Sequence, residues 1–195
     1  MANLSQPEYV VIARQTADGG YEPYDPATGG GDGATGTGGA PSGFSANANF
    51  TPTAVEYGAG DIVDLTKELI FTDYAGASPP AGALIEITTA IVKIPVAIIP
   101  AGQLNYLLYL YSAAPPSAQP DNDLWTLSRP DLDVFMGSID LGTPVDLGQA
   151  QYVRTNALGF QTRLTGSSMF ARLVTAGRFT PTAMPRTVRL HALVR

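Results

Sequence analysis

The chain has 195 residues, one histidine, no cysteine and a formal net charge of −6, a length of about one domain. Without cysteine it cannot form a disulfide, a thiolate nucleophile or a cysteine zinc site, and His191 alone cannot supply two imidazoles to a metal. Glycine (21) and proline (16) are abundant, whereas charged residues make up only 14%. This composition favours a turn-rich β protein.

The N-terminal residues predict an arm followed by a linker. Residues 1–16 include a β-forming segment with Tyr9 and Val11, so we expect a short strand or arm that docks on another surface. The segment lacks a preceding basic stretch and is too short for the core of a signal peptide. Residues 17–48 are rich in glycine and have little to bury, which predicts a flexible linker.

Residues 49–195 predict an all-β domain, a β-sandwich or jelly roll. Turn signals separate ten β-forming segments, and such spacing is typical of these folds. A capping pattern at Ser128, Pro130 and Asp131 adds one short helix of about two turns. The predicted strands are 50–55, 61–65, 69–72, 83–94, 105–111, 137–141, 151–154, 161–164, 170–175 and 187–194.

The longest apolar stretch, residues 94–101, predicts a surface contact. Pro95 and Pro100 interrupt it, and it is far shorter than the roughly 18 residues that span a bilayer, so we expect no membrane segment. Proline cannot donate to a sheet ladder, which places the stretch at an edge or in a loop. Ile98 and Ile99 would then be exposed, and self-association is the simplest way to cover them.

Charges are unevenly distributed along the chain. Residues 1–149 hold all 17 carboxylates and four basic residues, whereas residues 150–195 hold seven arginines and no acid. One interpretation is that the two segments neutralise each other across a sheet. The other is that arginines face an acidic protein partner, with Arg154, Arg163, Arg172 and Arg178 as candidates. The sequence pI of 4.6 argues against nucleic-acid binding.

The chemical motifs favour a protein that is not an enzyme. A GxGxxG pattern at residues 31–36 lies in the glycine-rich segment, with no strand before it and no helical pattern after it. Asp121 and Asp123 follow Pro120 and fit a turn better than a calcium site. His191 has no visible nucleophilic partner in the sequence. We therefore expect neither a metal nor another cofactor.

Aromatic residues leave one alternative open. Tyr106, Tyr109, Tyr111 and Trp125 are close in the sequence, and core packing explains them most simply. Flat rings also stack on sugar faces, and jelly rolls include lectin domains. A carbohydrate-binding module for host recognition is therefore an alternative to a purely structural protein.

Several segments resemble a widespread group of small virion proteins of tailed bacteriophages. The shared pattern is an apolar strand ending in Tyr-Ser, a proline turn, Asp-Asn-Asp, a short capped helix and a Gly-x-Ile strand, followed by a Gly-Arg-Phe-Thr-Pro-Thr ending. In this chain the segments are 107–116, 121–123, 127–132, 136–140 and 177–182, with 188–190 after them. The resemblance covers roughly residues 50–194.

The resemblance implies a capsid decoration, or cement, protein with a jelly-roll body and no active site. Such a protein is made in the host cytoplasm, and it binds the outer capsid surface of the virion, where it bridges neighbouring subunits of the major capsid protein. We expect a homo-oligomer, a trimer first and a dimer second, without nucleic-acid or membrane partners. A tail, baseplate or fibre component with the same body is the alternative within this class.

Overall fold

The computed structural model of the chain describes residues 13–15, 21–23 and 43–195. The chain divides into two compact units, Met1–Gly38 and Gly39–Arg195. In the first unit, strands β1 (Ala13–Gln15) and β2 (Tyr21–Pro23) pair antiparallel. Tyr9 and Val11, the candidate contacts of the predicted arm, lie outside the described residues.

The second unit is a sandwich of two antiparallel sheets. The four-stranded sheet has the order β4-β10-β6-β7, and the five-stranded sheet has the order β3-β11-β5-β9-β8. The strand bounds are β3 Gly43–Phe50, β4 Ile62–Ile70, β5 Leu84–Ile94, β6 Tyr106–Tyr111, β7 Phe135–Asp140, β8 Val145–Asp146, β9 Gln151–Arg163, β10 Ser168–Thr175 and β11 Arg186–Val194.

This strand order is that of a jelly roll with one added edge strand, β8. The chain crosses repeatedly from one sheet to the other, and the late strands β10 and β11 insert between early strands of each sheet. A jelly roll consists of eight strands in two packed sheets, connected as two Greek keys. The prediction of an all-β sandwich is therefore confirmed.

The first strand of the sandwich lies earlier than predicted. Strand β3 ends at Phe50, so the predicted strand 50–55 is wrong, and residues 43–48 belong to the sandwich and not to the linker. Phe44 and Ala46 point into the core from β3. The segment alternates correctly for a strand, but its alanine, serine and asparagine residues have low β propensity. Its pairing with β11 determines its structure.

Five further predicted elements change their extent. The segments 61–65 and 69–72 merge into β4, and 151–154 and 161–164 merge into β9. Register shifts interrupt β4 and β9, and a chain with such a bulge looks like two strands in sequence. The predicted two-turn helix is a single 3-10 turn, Arg129–Asp131: the Ser128 side chain makes no capping hydrogen bond, and the buried Asp131 carboxylate accepts from Ser117.

The main core lies between the two sheets. Alternate residues of β11, namely Val188, Leu190 and Ala192, face it, as the alternation in the sequence predicts. A second packed layer covers the outer face of the four-stranded sheet, where the connection 112–134 folds back over β6. In this layer the Trp125 ring stacks on the Tyr109 ring, with 3.7 Å between centroids.

The antiparallel registers place four connections at one end of the sandwich. These are residues 51–61, 95–105, 141–150 and 176–185, which we call the four-loop end. Gly43 and Arg195 lie at the opposite end. No helix within the described part of the chain has the length and apolar character needed to cross a membrane.

Candidate interaction surfaces

The four-loop end exposes large apolar side chains from all of its connections. Ile98 is the most exposed of them, at 74%, whereas Ile99 is half-buried. The segment 95–100 stays outside the sheets because its two prolines cannot continue the ladder of β5. The exposed apolar residues of this end are Val55, Ile98, Leu104, Val145, Leu147 and Met184.

Main-chain contacts join the connections beneath these side chains. Tyr57 pairs with Phe179 through two backbone hydrogen bonds, which links 51–61 to 176–185. Gly102 has φ +85° and lies so close to the carbonyl oxygen of Arg178 that a Cβ would overlap it. The connection 95–105 therefore packs directly on 176–185.

A buried pair of glutamines anchors the Ile98 segment to the five-stranded sheet. The Gln103 side-chain amide donates to Gln151 Oε1 at 2.7 Å, and Gln151 Nε2 donates to the carbonyl oxygen of Ile98 at 2.8 Å. Both glutamines are buried. Breaking either bond would leave a further buried amide group unsatisfied, in addition to Gln103 Oε1, which has no partner among the described residues. The exposed Ile98 side chain thus stands on a fixed base.

Asp121 connects the long segment 112–134 to the four-loop end. Its Oδ1 accepts from the Tyr57 hydroxyl and the Asp64 backbone N–H, both at 2.6 Å, and its Oδ2 accepts from Thr53 Oγ1 at 2.8 Å. Burial opposes ionisation, but these donors outweigh it and lower the pKa of Asp121. Burial, together with the hydrogen bond to Asp121, raises the pKa of Tyr57 to about 12.

These bonds use both carboxylate oxygens of Asp121 for structure. The described residues contain no group of three histidine, cysteine, aspartate or glutamate side chains placed to hold a metal ion.

Two of the four arginines predicted to face a partner are engaged within the protein. Arg172 is buried on the outer face of the four-stranded sheet, where it forms an ion pair with Asp131 at 3.2 Å. Arg178 is exposed but pairs with Glu56 at 2.5 Å. Both arginines therefore have a carboxylate partner within their own domain. Arg172 lies on a strand covered by segment 112–134, which the local sequence does not reveal.

Arg154 and Arg163 lie on the outer, solvent-facing side of the five-stranded sheet. Sequence reasoning did not group them with Arg189 and Lys93, which project from the same face. The alternation in 187–194 places Arg189 and His191 on this side, but only the strand register brings them beside β9. Burial, then the neighbouring charges of Arg189 and Arg154, lower the pKa of His191.

The aromatic residues considered for sugar binding are packed against one another. Tyr106 and Tyr111 are fully buried, and Trp125 Nε1 donates to the Tyr111 hydroxyl at 3.0 Å. Tyr109 stacks on Trp125. These rings fill the core and the layer beneath segment 112–134, so they do not line an open groove.

Comparison with known sequences returns no match, either to a protein-family model or to a curated protein.

Proposed function

We propose that this protein is a structural component of a tailed-phage virion, a decoration or cement protein on the outer capsid surface. The observation that carries the proposal is the exposed apolar surface of the four-loop end. Its exposed side chains are those of Val55, Ile98, Leu104, Val145, Leu147 and Met184. Several large apolar side chains exposed at one end of a domain indicate a protein contact. The resemblance of residues 50–194 to phage virion proteins supports the same class.

In this role the protein acts by binding and not by chemistry. A protein that binds the assembled lattice but not the free subunits stabilises the lattice by mass action. A jelly-roll body held by two sheets suits this task because it transmits force between neighbouring major capsid subunits without changing shape. The proposed location is the virion, after synthesis in the host cytoplasm.

We assign the four-loop end to self-association, with a trimer as the expected oligomer and a dimer as the alternative. Complete burial of one aliphatic side chain contributes about 1.5–3 kcal/mol. The six side chains named above are 41% to 74% exposed, so covering them contributes on the order of 5–10 kcal/mol before the cost of association. A surface of this size can hold a small oligomer together.

The location is tested by immunogold electron microscopy of particles of the phage that encodes the protein. Label over the head supports the decoration role, and label confined to the tail or baseplate transfers the protein to that alternative. Particles without label would overturn the virion assignment. Head particles that lack the protein should also disrupt at a lower temperature than particles to which it has been added back.

The self-association is tested by Ile98→Asp, with Leu132→Asp as the matched control. Leu132 is 54% exposed but lies in the 129–134 turn, away from the four-loop end. Size-exclusion chromatography with light scattering should show that I98D dissociates the oligomer while L132D leaves it intact. A monomeric wild-type protein would contradict the assignment of this surface.

A carbohydrate-binding module remains the second candidate, favoured by one cleft at the opposite end of the sandwich. This cleft measures about 430 Å³ and is lined by Ser45, Asp73, Tyr74 and His191 among others. The Tyr74 ring is fully exposed, as a ring that stacks on a sugar would be. Binding to host-surface glycans that is lost in Tyr74→Ala would favour this function.

A further inference from the structure

We infer that the outer side of the five-stranded sheet binds an acidic protein surface through Lys93, Arg154, Arg163 and Arg189. We call these four residues and the strand surface between them the basic sheet face. This inference rests on the proposed function only for the identity of the partner, an acidic region of the capsid lattice. The chemistry of the surface itself is independent of that role.

The strand register fixes how the cations are arranged. Arg189 of β11 and Arg154 of β9 are both directly opposite Ile91 of β5. Neighbouring strands are about 4.8 Å apart, so the two arginine Cα atoms are about 10 Å apart on one face. Lys93 projects from the same face two residues further along β5, which places three cations around Ile91.

Each central arginine is held by an amide that leaves its charged end available. Arg189 Nε donates to Asn47 Oδ1 at 2.6 Å, and Arg154 Nε donates to Asn156 Oδ1 at 2.8 Å. Within the described residues, neither arginine's terminal nitrogens have an acceptor. A guanidinium whose orientation is already fixed loses less conformational freedom when it binds a carboxylate with its two terminal nitrogens.

The four cations of the basic sheet face differ from Arg178 and Arg195 in having no ion pair within residues 43–195; the one carboxylate on this face, Glu86 of β5, pairs with Arg195. Arg178 and Arg195 are exposed but pair with Glu56 and Glu86. Among the described residues, no carboxylate forms an ion pair with the four cations of the basic sheet face. An uncompensated positive patch on a chain of net charge −6 favours an acidic partner that faces this side alone.

The neighbours of His191 fit the same surface. Arg189 adjoins it on β11, Arg154 faces it from β9, and Ser45 and Thr89 lie opposite on β3 and β5. Burial and the charges of Arg189 and Arg154 lower the pKa of His191, which disfavours its charged form. The positive charge of this face therefore comes from its arginines and lysine.

An acidic protein fits this surface better than a nucleic acid. A DNA duplex presents about one charge per 1.7 Å along its axis, so binding requires an extended row of cations on a basic domain. Here the cations are few and do not form such a row. Carboxylates spaced on a protein surface match separate, oriented guanidinium groups.

The test uses the full-length protein and two probes, a fluorescent poly-L-glutamate peptide and a DNA duplex of similar total charge. The variant R154Q/R189Q removes two charges from the basic sheet face. The matched control, K67Q/R178Q, removes two charges that lie away from this face and already have carboxylate partners. Fluorescence anisotropy at low and at high salt measures binding, and circular dichroism confirms that both variants are folded.

We expect the wild-type protein to bind poly-L-glutamate more tightly than DNA, and added salt to weaken this binding. R154Q/R189Q should weaken it at least about tenfold, whereas K67Q/R178Q should change it less than about twofold. Equal effects of the two variants, no binding of poly-L-glutamate or a preference for DNA would overturn the inference. Because the isolated protein is used, its result is independent of where the protein lies in a particle.

Discussion

The buried Arg172 provides the sharpest test of how this fold holds the segment 112–134 in place. Its Nε donates to Thr66 Oγ1 at 3.0 Å, and its terminal nitrogens donate to Gln119 Oε1 at 3.0 Å, to Asp131 Oδ2 at 3.2 Å and to the Ser117 carbonyl oxygen at 2.5 Å. One side chain on β10 thus ties β4 and the 112–134 segment together. We expect Arg172→Met to release this segment.

The expected loss of stability follows from the partners that Arg172 would leave behind. Asp131 is fully buried, and removing one partner of a buried ion pair costs about 3–5 kcal/mol. For a chain of this size, each kcal/mol corresponds to about 2–4 °C in Tm, so R172M should melt roughly 6–20 °C lower. Arg172→Lys keeps the charge but loses the planar guanidinium group, so its decrease in Tm should lie between zero and that of R172M.

Urea unfolding followed by tryptophan fluorescence measures this effect. The chain has a single tryptophan, Trp125, and its stacking on Tyr109 makes it a reporter of the 112–134 segment. The double variant R172M/D131L removes both charges and should recover most of the lost stability. A loss below about 1 kcal/mol in R172M, or no recovery in the double variant, would refute the proposed role of the ion pair.

Three further predictions address other parts of the domain. Deleting residues 1–38 should leave a sandwich that circular dichroism shows to be folded. Deleting residues 1–48 removes most of β3 and should unfold the domain, and a folded product would show that β3 is dispensable. Gly102→Ala should lower the free energy of unfolding by about 1–3 kcal/mol, because the added Cβ would overlap the carbonyl oxygen of Arg178 at a residue of positive φ. Gly148 also has positive φ but lies in open space, so Gly148→Ala should lower the free energy of unfolding less. Because the pKa of Tyr57 is raised, its contribution to the free energy of unfolding is fully present below pH 10 and is lost as the pH rises from 10 towards 12, since the unfolded state loses its phenolic proton first. In denaturant titrations, Tyr57→Phe should make this decline shallower.

The parts of the fold that local patterns encode were predictable. The alternation of residues 187–194 predicts β11 and its core face, and the two apolar faces of 105–111 predict a strand covered on both sides. In contrast, β3 has few β-forming side chains, and its partner β11 lies more than a hundred residues away in the chain. A pairing over that distance leaves no local signal.

The interaction surfaces were predictable only in part. The prolines at 95 and 100 predict that Ile98 lies outside the sheets, but the convergence of Leu104 and Leu147 on the same end depends on the topology. The burial of Arg172 could have been predicted from one feature of the sequence. It is the only charged residue in the apolar segment 169–174, and a charge in such a segment indicates a buried partner. The grouping of Arg189 with Arg154 required the register.

The position of β10 and β11 has a consequence for synthesis of the protein. Both strands are inner strands of their sheets, so β3 and β5 cannot be joined until β11 is available. A ribosome-bound chain that stops before Ser168 therefore lacks the inner strands of both sheets, and one that stops before Arg186 still lacks the inner strand of the five-stranded sheet. Folds dominated by such distant pairings form in milliseconds to seconds, which is slow for a domain of this size. The five-stranded sheet thus cannot be completed before β11 is synthesised, and chains interrupted earlier keep open strand edges that expose them to aggregation and proteolysis.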